Sequence, residues 1–194
     1  HWNIFLILKN GKMTKDNLFI KSNGIGLKSL TTKKLKPKEI KEICKFKNTF
    51  WKWSMVKQIN WYKNFVKKND LNNLLRIKGR LVGYNLLRKR NAYIGKKKIK
   101  YLYLDTFMIH KNFRKKGLGE ILIRFNNMVI KKSKKHSFLI CPKNIIPFYL
   151  KFGWKELKKN KYFITFHKSH WHNEFNPSKG MTFMFQKENT TINT

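Results

Sequence analysis

The sequence predicts one layered α/β domain, and three observations predict it. Runs of alternating apolar residues and runs with helical apolar spacing follow one another along 194 residues. Two pairs of strand-like runs are joined by short turns, and near the middle a strand-like run passes through a glycine turn into a helix-like run. With 41% apolar residues the chain can bury a sizeable core, and no internal repeat or long low-complexity linker divides it. The expected organisation is an N-terminal extension at 1–23, one domain at 24–187 and a loose polar tail at 188–194.

The apolar run at 2–8 is far too short to span a bilayer, and neither a preceding basic region nor a cleavage site marks it as a signal peptide. Met13 stands just upstream of Thr14-Lys15-Asp16, so the residues before it read as an extension on which no function is rested. Residues 25–30, after Asn23-Gly24, read as a first strand. Ile40, Ile43, Cys44 and Phe46, with Glu39 near the start, predict a helix over 38–47. A second helix is expected over 50–68; Trp51, Trp53, Trp61 and Phe65 on it either pack against the sheet or line the rim of a pocket.

Residues 71–77 and 80–90 predict a hairpin about Lys78-Gly79, and turn formers across 91–97 lead to a further strand at 99–109. Residues 120–132 predict a helix with Ile121, Leu122, Phe125, Met128 and Val129 as its buried stripe. A strand at 137–141 follows. Asn144 is a suitable N-cap, Pro147 is tolerated in a first turn and Gly153 is a natural terminator, which together predict a short helix before Trp154 opens a strand. Strands at 162–167 and 181–186 complete the sheet.

The chemistry is concentrated at Arg114-Lys115-Lys116-Gly117-Leu118-Gly119. The first N–H groups of a helix have no partners within it, and the helix dipole places positive charge there, so this turn suits an anion. Gly117 and Gly119 let a phosphate approach the main chain, and Arg114, Lys115 and Lys116 add charge at the same mouth. The spacing fits neither the P-loop nor the three-glycine dinucleotide turn. On the preceding strand Tyr101, Tyr103, Asp105, Phe107 and Ile109 share a face. Asp105, one of only nine acids, can accept a proton from an ammonium, or it can serve as a salt-bridge partner or an amine-positioning carboxylate.

The pattern Arg-x-x-Gly-x-Gly after a strand resembles the coenzyme A pyrophosphate loop of the GNAT acetyltransferases. Asn144-Ile145-Ile146-Pro147-Phe148-Tyr149-Leu150-Lys151-Phe152-Gly153-Trp154 resembles the later motif of that family, one strand intervenes as the family requires, and Val82-Gly83-Tyr84 resembles the start of its third strand. The resemblance covers roughly 27–166 and is strongest over 101–154. It implies the acyl-CoA N-acyltransferase fold, a central mixed and mostly antiparallel sheet flanked by helices. It also implies acetyl-CoA as acyl donor and direct transfer to a primary amine, with a small molecule such as an amino sugar or amino acid as acceptor.

By the same resemblance, main-chain groups of Phe107, Met108 and Ile109 pair with pantetheine. The segment Arg114, Lys115, Lys116, Gly117, Leu118, Gly119 and Glu120 holds the pyrophosphate, and Asn144 is a further cofactor contact. Tyr149 stabilises or protonates the departing thiolate; otherwise it is a helix tyrosine packing beside Phe148 and Phe152. Many relatives carry an Asn seven residues before that tyrosine, where this chain has Pro142.

The net charge of +36 at pH 7 suggests a polyanion partner, nucleic acid above all. Only six of the 45 basic residues are arginines, which weakens that reading, because nucleic-acid surfaces favour Arg; an AT-rich coding sequence would give the same excess of Lys, Asn, Ile and Phe. A nucleic-acid- or ribosome-associated protein, or acetylation of tRNA or a basic protein, is the alternative function. Cys44 and Cys141 read as small buried residues, and His110 as a surface histidine. His167, His170, His172 and Glu174 form a solvated cluster in this reading, so no metal is expected. The coenzyme chemistry implies a cytoplasmic protein.

Overall fold

The computed structural model describes residues 12–14, 17–22, 24–94, 97–156 and 181–186. The expected strand at 162–167, the His167–Glu174 cluster, the segment before Lys12 and the tail lie outside the described residues. The chain forms two compact units: His1–Arg88 with Thr106–Val129, and Lys89–Asp105 with Ile130–Thr194.

The first unit is built on an antiparallel meander of β1 (Lys12–Thr14), β2 (Asn17–Ser22), β3 (Ile25–Thr31), β4 (Leu71–Ile77) and the first part of β5 (Arg80–Ile94). Ile20, Ile25, Leu27, Leu74, Leu75, Val82, Tyr84 and Leu86 are buried; the adjacent Leu74 and Leu75 lie on opposite faces, so β4 is buried on both sides instead of alternating. Two helices enter between β3 and β4. The first, α1 (Pro37–Asn48), starts with Pro37 at a position that needs no N–H, and the Glu39 carboxylate accepts the Lys36 N–H at 2.9 Å.

The second helix, α2, spans Met55–Phe65 and is shorter than its aromatic spacing predicts. Phe50 and Trp51 N–H both donate to the Lys47 carbonyl at 3.0 Å, which closes α1, and the Ser54 hydroxyl then accepts the Lys57 N–H at 3.3 Å to start α2. Residues 50–53 are therefore a connection, not the first turn of a helix. The hairpin about Lys78-Gly79 forms as expected. Ile77 pairs with Arg80, and Lys78 (φ 45°) and Gly79 (φ 82°) both adopt the left-handed backbone that a two-residue turn between twisted strands demands.

At the end of β6 (Lys97–Ile109) the chain returns to the first unit, where His110 N–H donates to the Val82 carbonyl at 2.9 Å. Gly83 is required here: a Cβ would stand 2.9 Å from Ile109 Cδ1 and 3.1 Å from Leu75. The strands β5 and β6 each run further than the turn formers at 91–97 predict, to Ile94 and from Lys97. Helix α3 (Leu118–Ser133) follows, with Ile121, Leu122, Phe125 and Val129 buried and Met128 half-buried, as the stripe predicts.

In the second unit, β6 pairs in parallel with β7 (His136–Pro142), from Tyr101 with His136 to Leu104 with Leu139. β9 (Met181–Gln186) lies antiparallel to β7 and to β8 (Lys155–Glu156). Ser137 Oγ donates to the Leu102 carbonyl at 2.9 Å inside this sheet. Between β7 and β8 stands the short helix α4 (Ile146–Lys151), with Pro147 in its first turn and Gly153 (φ 83°) beyond its end. The described strands thus make a mixed, mostly antiparallel arrangement with helices in the connections, as the sequence predicts. No helix among the described residues is long and apolar enough to cross a membrane.

Candidate functional site

The anion loop is assembled within the first unit. His110 ends β6, and a 3-10 turn at Lys111–Phe113 reverses the chain, with Phe113 N–H donating to the His110 carbonyl at 2.8 Å and Asn112 N–H to His110 Nδ1 at 3.3 Å. Arg114 then folds back, its Nε donating to the Ile109 carbonyl at 3.1 Å. This bond ties the loop to the strand end to which the family resemblance gives the pantetheine contact.

Lys115 (φ 58°) and Gly117 (φ 75°) adopt the left-handed backbone, which a lysine tolerates only at some strain and a glycine does not resist. Ile121 N–H closes on the Gly117 carbonyl at 3.1 Å, so the amides of Leu118, Gly119 and Glu120 precede the first helical bond of α3. A Cβ on Gly117 would meet nothing within 4 Å. The space beside it is open to a ligand.

Charge is arranged to suit an anion. Arg114, Lys115, Lys116 and Gly117 are exposed, whereas Leu118 is 1% exposed and anchors the helix start in the core. Glu120 is the acid of the first turn, and Arg124 holds its carboxylate with Nε at 3.1 Å and Nη2 at 2.9 Å, so it does not stand bare against an incoming phosphate. The donor set, helix amides flanked by Arg and Lys with open space at a glycine, fits a diphosphate. Met108 and Ile109 side chains are buried and Phe107 is half-buried, so any service of this segment to a cofactor arm falls to its main chain.

Aromatic rings brace the loop. His110 stacks on Phe46 at 6.2 Å and meets Phe113 edge-on at 5.8 Å, and the Arg114 guanidinium lies 5.1 Å from the Phe50 ring centre. Partial burial, then Arg80, Lys111 and Arg114 in turn, hold the His110 pKa below its ordinary value. His110 is thus a half-exposed histidine, as the sequence predicts, with its ring packed against two aromatic neighbours.

A polar hub beneath α3 escaped the sequence reading. Asn126 Oδ1 accepts from Asn85 Nδ2 at 2.7 Å and from Asn73 Nδ2 at 3.3 Å, and all three residues are fully buried. The available signal is that Asn126 falls four residues after Leu122, on the apolar stripe, where a polar residue needs a buried partner.

Tyr149, Asp105 and Asn144 belong to the second unit. Tyr149 is 5% exposed, with Phe148 at 5.3 Å and Trp154 at 5.8 Å as ring neighbours. Burial first, and the Cys141 thiol second, push its phenol well above the ordinary range, so it keeps its proton and has an O–H to donate. Burial, with Glu156, likewise pushes the Cys141 thiol up to about 11. Asp105 is half-buried on the β6 face that carries Tyr103, opposite the fully buried Leu102. Asn144 does not cap α4. It sits exposed within a 3-10 turn at Lys143–Ile145, and Ile145 occupies the cap position without a side-chain bond, because the extra turn moves the helix start by one residue.

Among the described residues no group of His, Cys, Asp and Glu is arranged to hold a metal ion. The family model of the acetyltransferase (GNAT) domain matches residues 31–189. No curated protein matches the sequence. Among solved structures, an acyl-CoA N-acyltransferase from Pseudomonas aeruginosa aligns with a TM-score of 0.60 at 11% identity, over 84% of this chain and 99% of that one. Escherichia coli ElaA aligns at 0.59 and 10% identity with the same coverage, 84% and 99%. The PaiA N-acetyltransferase from Thermoplasma acidophilum, in complex with coenzyme A, aligns at 0.51 and 15% identity over 85% and 99%. At these identities the structures speak for the fold alone. With a loop suited to a diphosphate, the family's later motif and a family match over most of its length, the chain belongs to the GNAT family of acetyl-CoA-dependent N-acetyltransferases.

Proposed function

We propose that the protein transfers an acetyl group from acetyl-CoA directly to the primary amine of a small molecule, an amino sugar or amino acid being the first class to test. The observation that carries this reading is the open helix start at Leu118–Glu120 with its flanking Arg114, Lys115 and Lys116, which supplies amides and cations to a diphosphate. Bound acetyl-CoA supplies the acetyl group as a thioester. Tyr149, which keeps its phenolic proton because burial raises its pKa, stabilises the departing thiolate by donating a hydrogen bond to it, and the thiolate takes its proton in the end from the amine that has been acylated. Asp105 offers a half-exposed carboxylate that takes a proton from the incoming ammonium or orients it. Asn144, exposed and released from capping, is available for a cofactor contact. A reaction of this kind belongs in the cytoplasm, where coenzyme A is abundant.

One observation favours a second partner class. Trp51 and Trp53 leave part of their indoles in solvent, within a stretch from Ile43 to Asn69 that carries seven lysines and no acid, which a small amine does not require and a nucleic acid would suit.

The test is calorimetric titration of acetyl-CoA, followed by thiol release in the presence of a panel of amines. Saturable one-site binding with amine-dependent release of coenzyme A is expected. Attraction that simply fades with salt, with no thiol released for any amine, would sink the enzyme reading.

A further inference from the structure

Between Ile43 and Asn69 the chain carries seven lysines and no acid. Within this stretch the connection at 50–53 is held in place by its backbone. Trp53 N–H donates to the Trp51 carbonyl at 2.7 Å, and the buried Gln58 donates its Nε2 to the same carbonyl at 2.9 Å. Yet it leaves more than a third of each indole in solvent: Trp51 is 38% and Trp53 37% exposed.

Rings of this size are normally buried for the apolar area they remove from water, and here packing leaves one part of each indole open to a ligand. The Lys47 ammonium lies 3.2 Å from the Trp61 ring centre and 5.6 Å from that of Trp51, which steadies the base of the platform. The Trp53 indole has no ring partner among the described residues. Lys52 and Lys57 are exposed on either side of it. At the other end Phe50 faces the Arg114 guanidinium, so the platform borders the cationic loop.

Exposed rings fixed in a cationic stretch with no acid suit a ligand that alternates flat π-faces with negative charge. From the charge and the rings together, we infer that residues 50–53, with Lys52 and Lys57, bind single-stranded nucleic acid, Trp51 and Trp53 stacking on bases while the lysines meet phosphates. Lysines alone would attract any polyanion; the indoles add a component that requires bases and resists salt. The inference does not rest on acetyl transfer. A protein inactive towards every amine would still bind the strand, so the two readings fail separately.

The test is tryptophan quenching and anisotropy with the full chain, using oligo-U RNA and oligo-dT DNA of about 12 nucleotides. Both are titrated at about 0.3 M salt, beside inorganic polyphosphate as a base-free polyanion. Trp53→Ala and Trp51→Leu are each expected to weaken oligonucleotide binding about tenfold, in keeping with the loss of one stacked base. Their salt slope and their polyphosphate binding stay as in the parent. Lys52→Ala with Lys57→Ala is expected to lower the salt slope by about 1–2.

Oligonucleotide affinity unchanged in both tryptophan variants would overturn the inference, leaving charge alone. Polyphosphate binding as tight as the oligonucleotides would do the same. The RNA and DNA arms distinguish which strand is the better source of bases. Should Trp51→Leu fail to fold, Trp53→Ala still decides, because its exposed ring can be removed while its backbone bond remains.

Discussion

Two turns in the first unit are built from nearly the same parts and serve opposite ends. After β4 the chain turns through Lys78 (φ 45°) and Gly79 (φ 82°); after β6 it turns through Lys115 (φ 58°) and Gly117 (φ 75°). In the hairpin the polar groups of the turn find protein partners. Lys78 N–H donates to the Gly24 carbonyl at 2.8 Å, Arg76 Nη1 donates to the Gly79 carbonyl at 2.8 Å, and the Arg76 guanidinium is paired with Glu42. In the loop the turn opens into α3, whose first amides have no place in the helix ladder. Its arginine is bound to a carbonyl, which satisfies one N–H and leaves the charge unneutralised. The proposed anion site therefore owes its donors to the helix that the turn feeds, not to the Lys-Gly chemistry of the turn itself.

The largest effect separates the two glycines. Gly117→Glu is expected to abolish acetyl-CoA binding, a loss of more than about 100-fold by calorimetry, because it brings a carboxylate to the phosphate position. Gly79→Glu meets a similar left-handed backbone, with strain of about 1–2 kcal/mol, and should leave the dissociation constant within about twofold. Equal losses of binding in both would erase the distinction.

Tyr149→Phe, outside both turns, is expected to lower kcat about 100-fold with KM for acetyl-CoA unchanged, as steady-state kinetics would show. A fall in both parameters together would point to damaged packing around Phe148 and Trp154 instead. Asn126→Ala strips the acceptor from two buried amides and should destabilise the protein by about 2–3 kcal/mol in urea unfolding.

The smallest effect is a titration. Burial and neighbouring cations depress the His110 pKa in the free protein, and a bound diphosphate would offset those cations, so acetyl-CoA should move the His110 pKa upward, back towards 6.5, in an NMR titration. In the free protein the folded value lies below the unfolded one. Its contribution to stability is present above pH 6.5 and is lost as pH falls through the folded pKa. An unmoved His110 on saturation would place the phosphates away from this loop.

Much of this was legible in the sequence because it is local. The hairpin, the loop, the stripe of α3 and the short helix ended by Gly153 each depend on residues within a few positions of one another. The failures obey the same logic in reverse. Aromatic spacing carried the expected second helix back to Phe50, although Ser54 was present to cap it and Lys47 to close the one before. Asn144 looked like a cap because the extra 3-10 turn is not written in residue type. The Asn73–Asn85–Asn126 hub joins residues 41 and 53 positions apart, and no short window contains it. His110 lies near the surface as expected, but its ring neighbour Phe46 stands on a helix more than sixty positions upstream, which no short window contains either.

That hub also acts as a fulcrum. Eight residues separate Leu118 from Asn126, which at the helical rise makes a lever arm of about 12 Å from the shared oxygen to the amides at the helix start. A tilt of about 5° at the fulcrum would swing those amides by about 1 Å, enough to spoil their aim at a phosphate and to slow a reaction severely. On the proposed reading, the aim of the loop is thus set by three buried asparagines that lie about two helical turns from it.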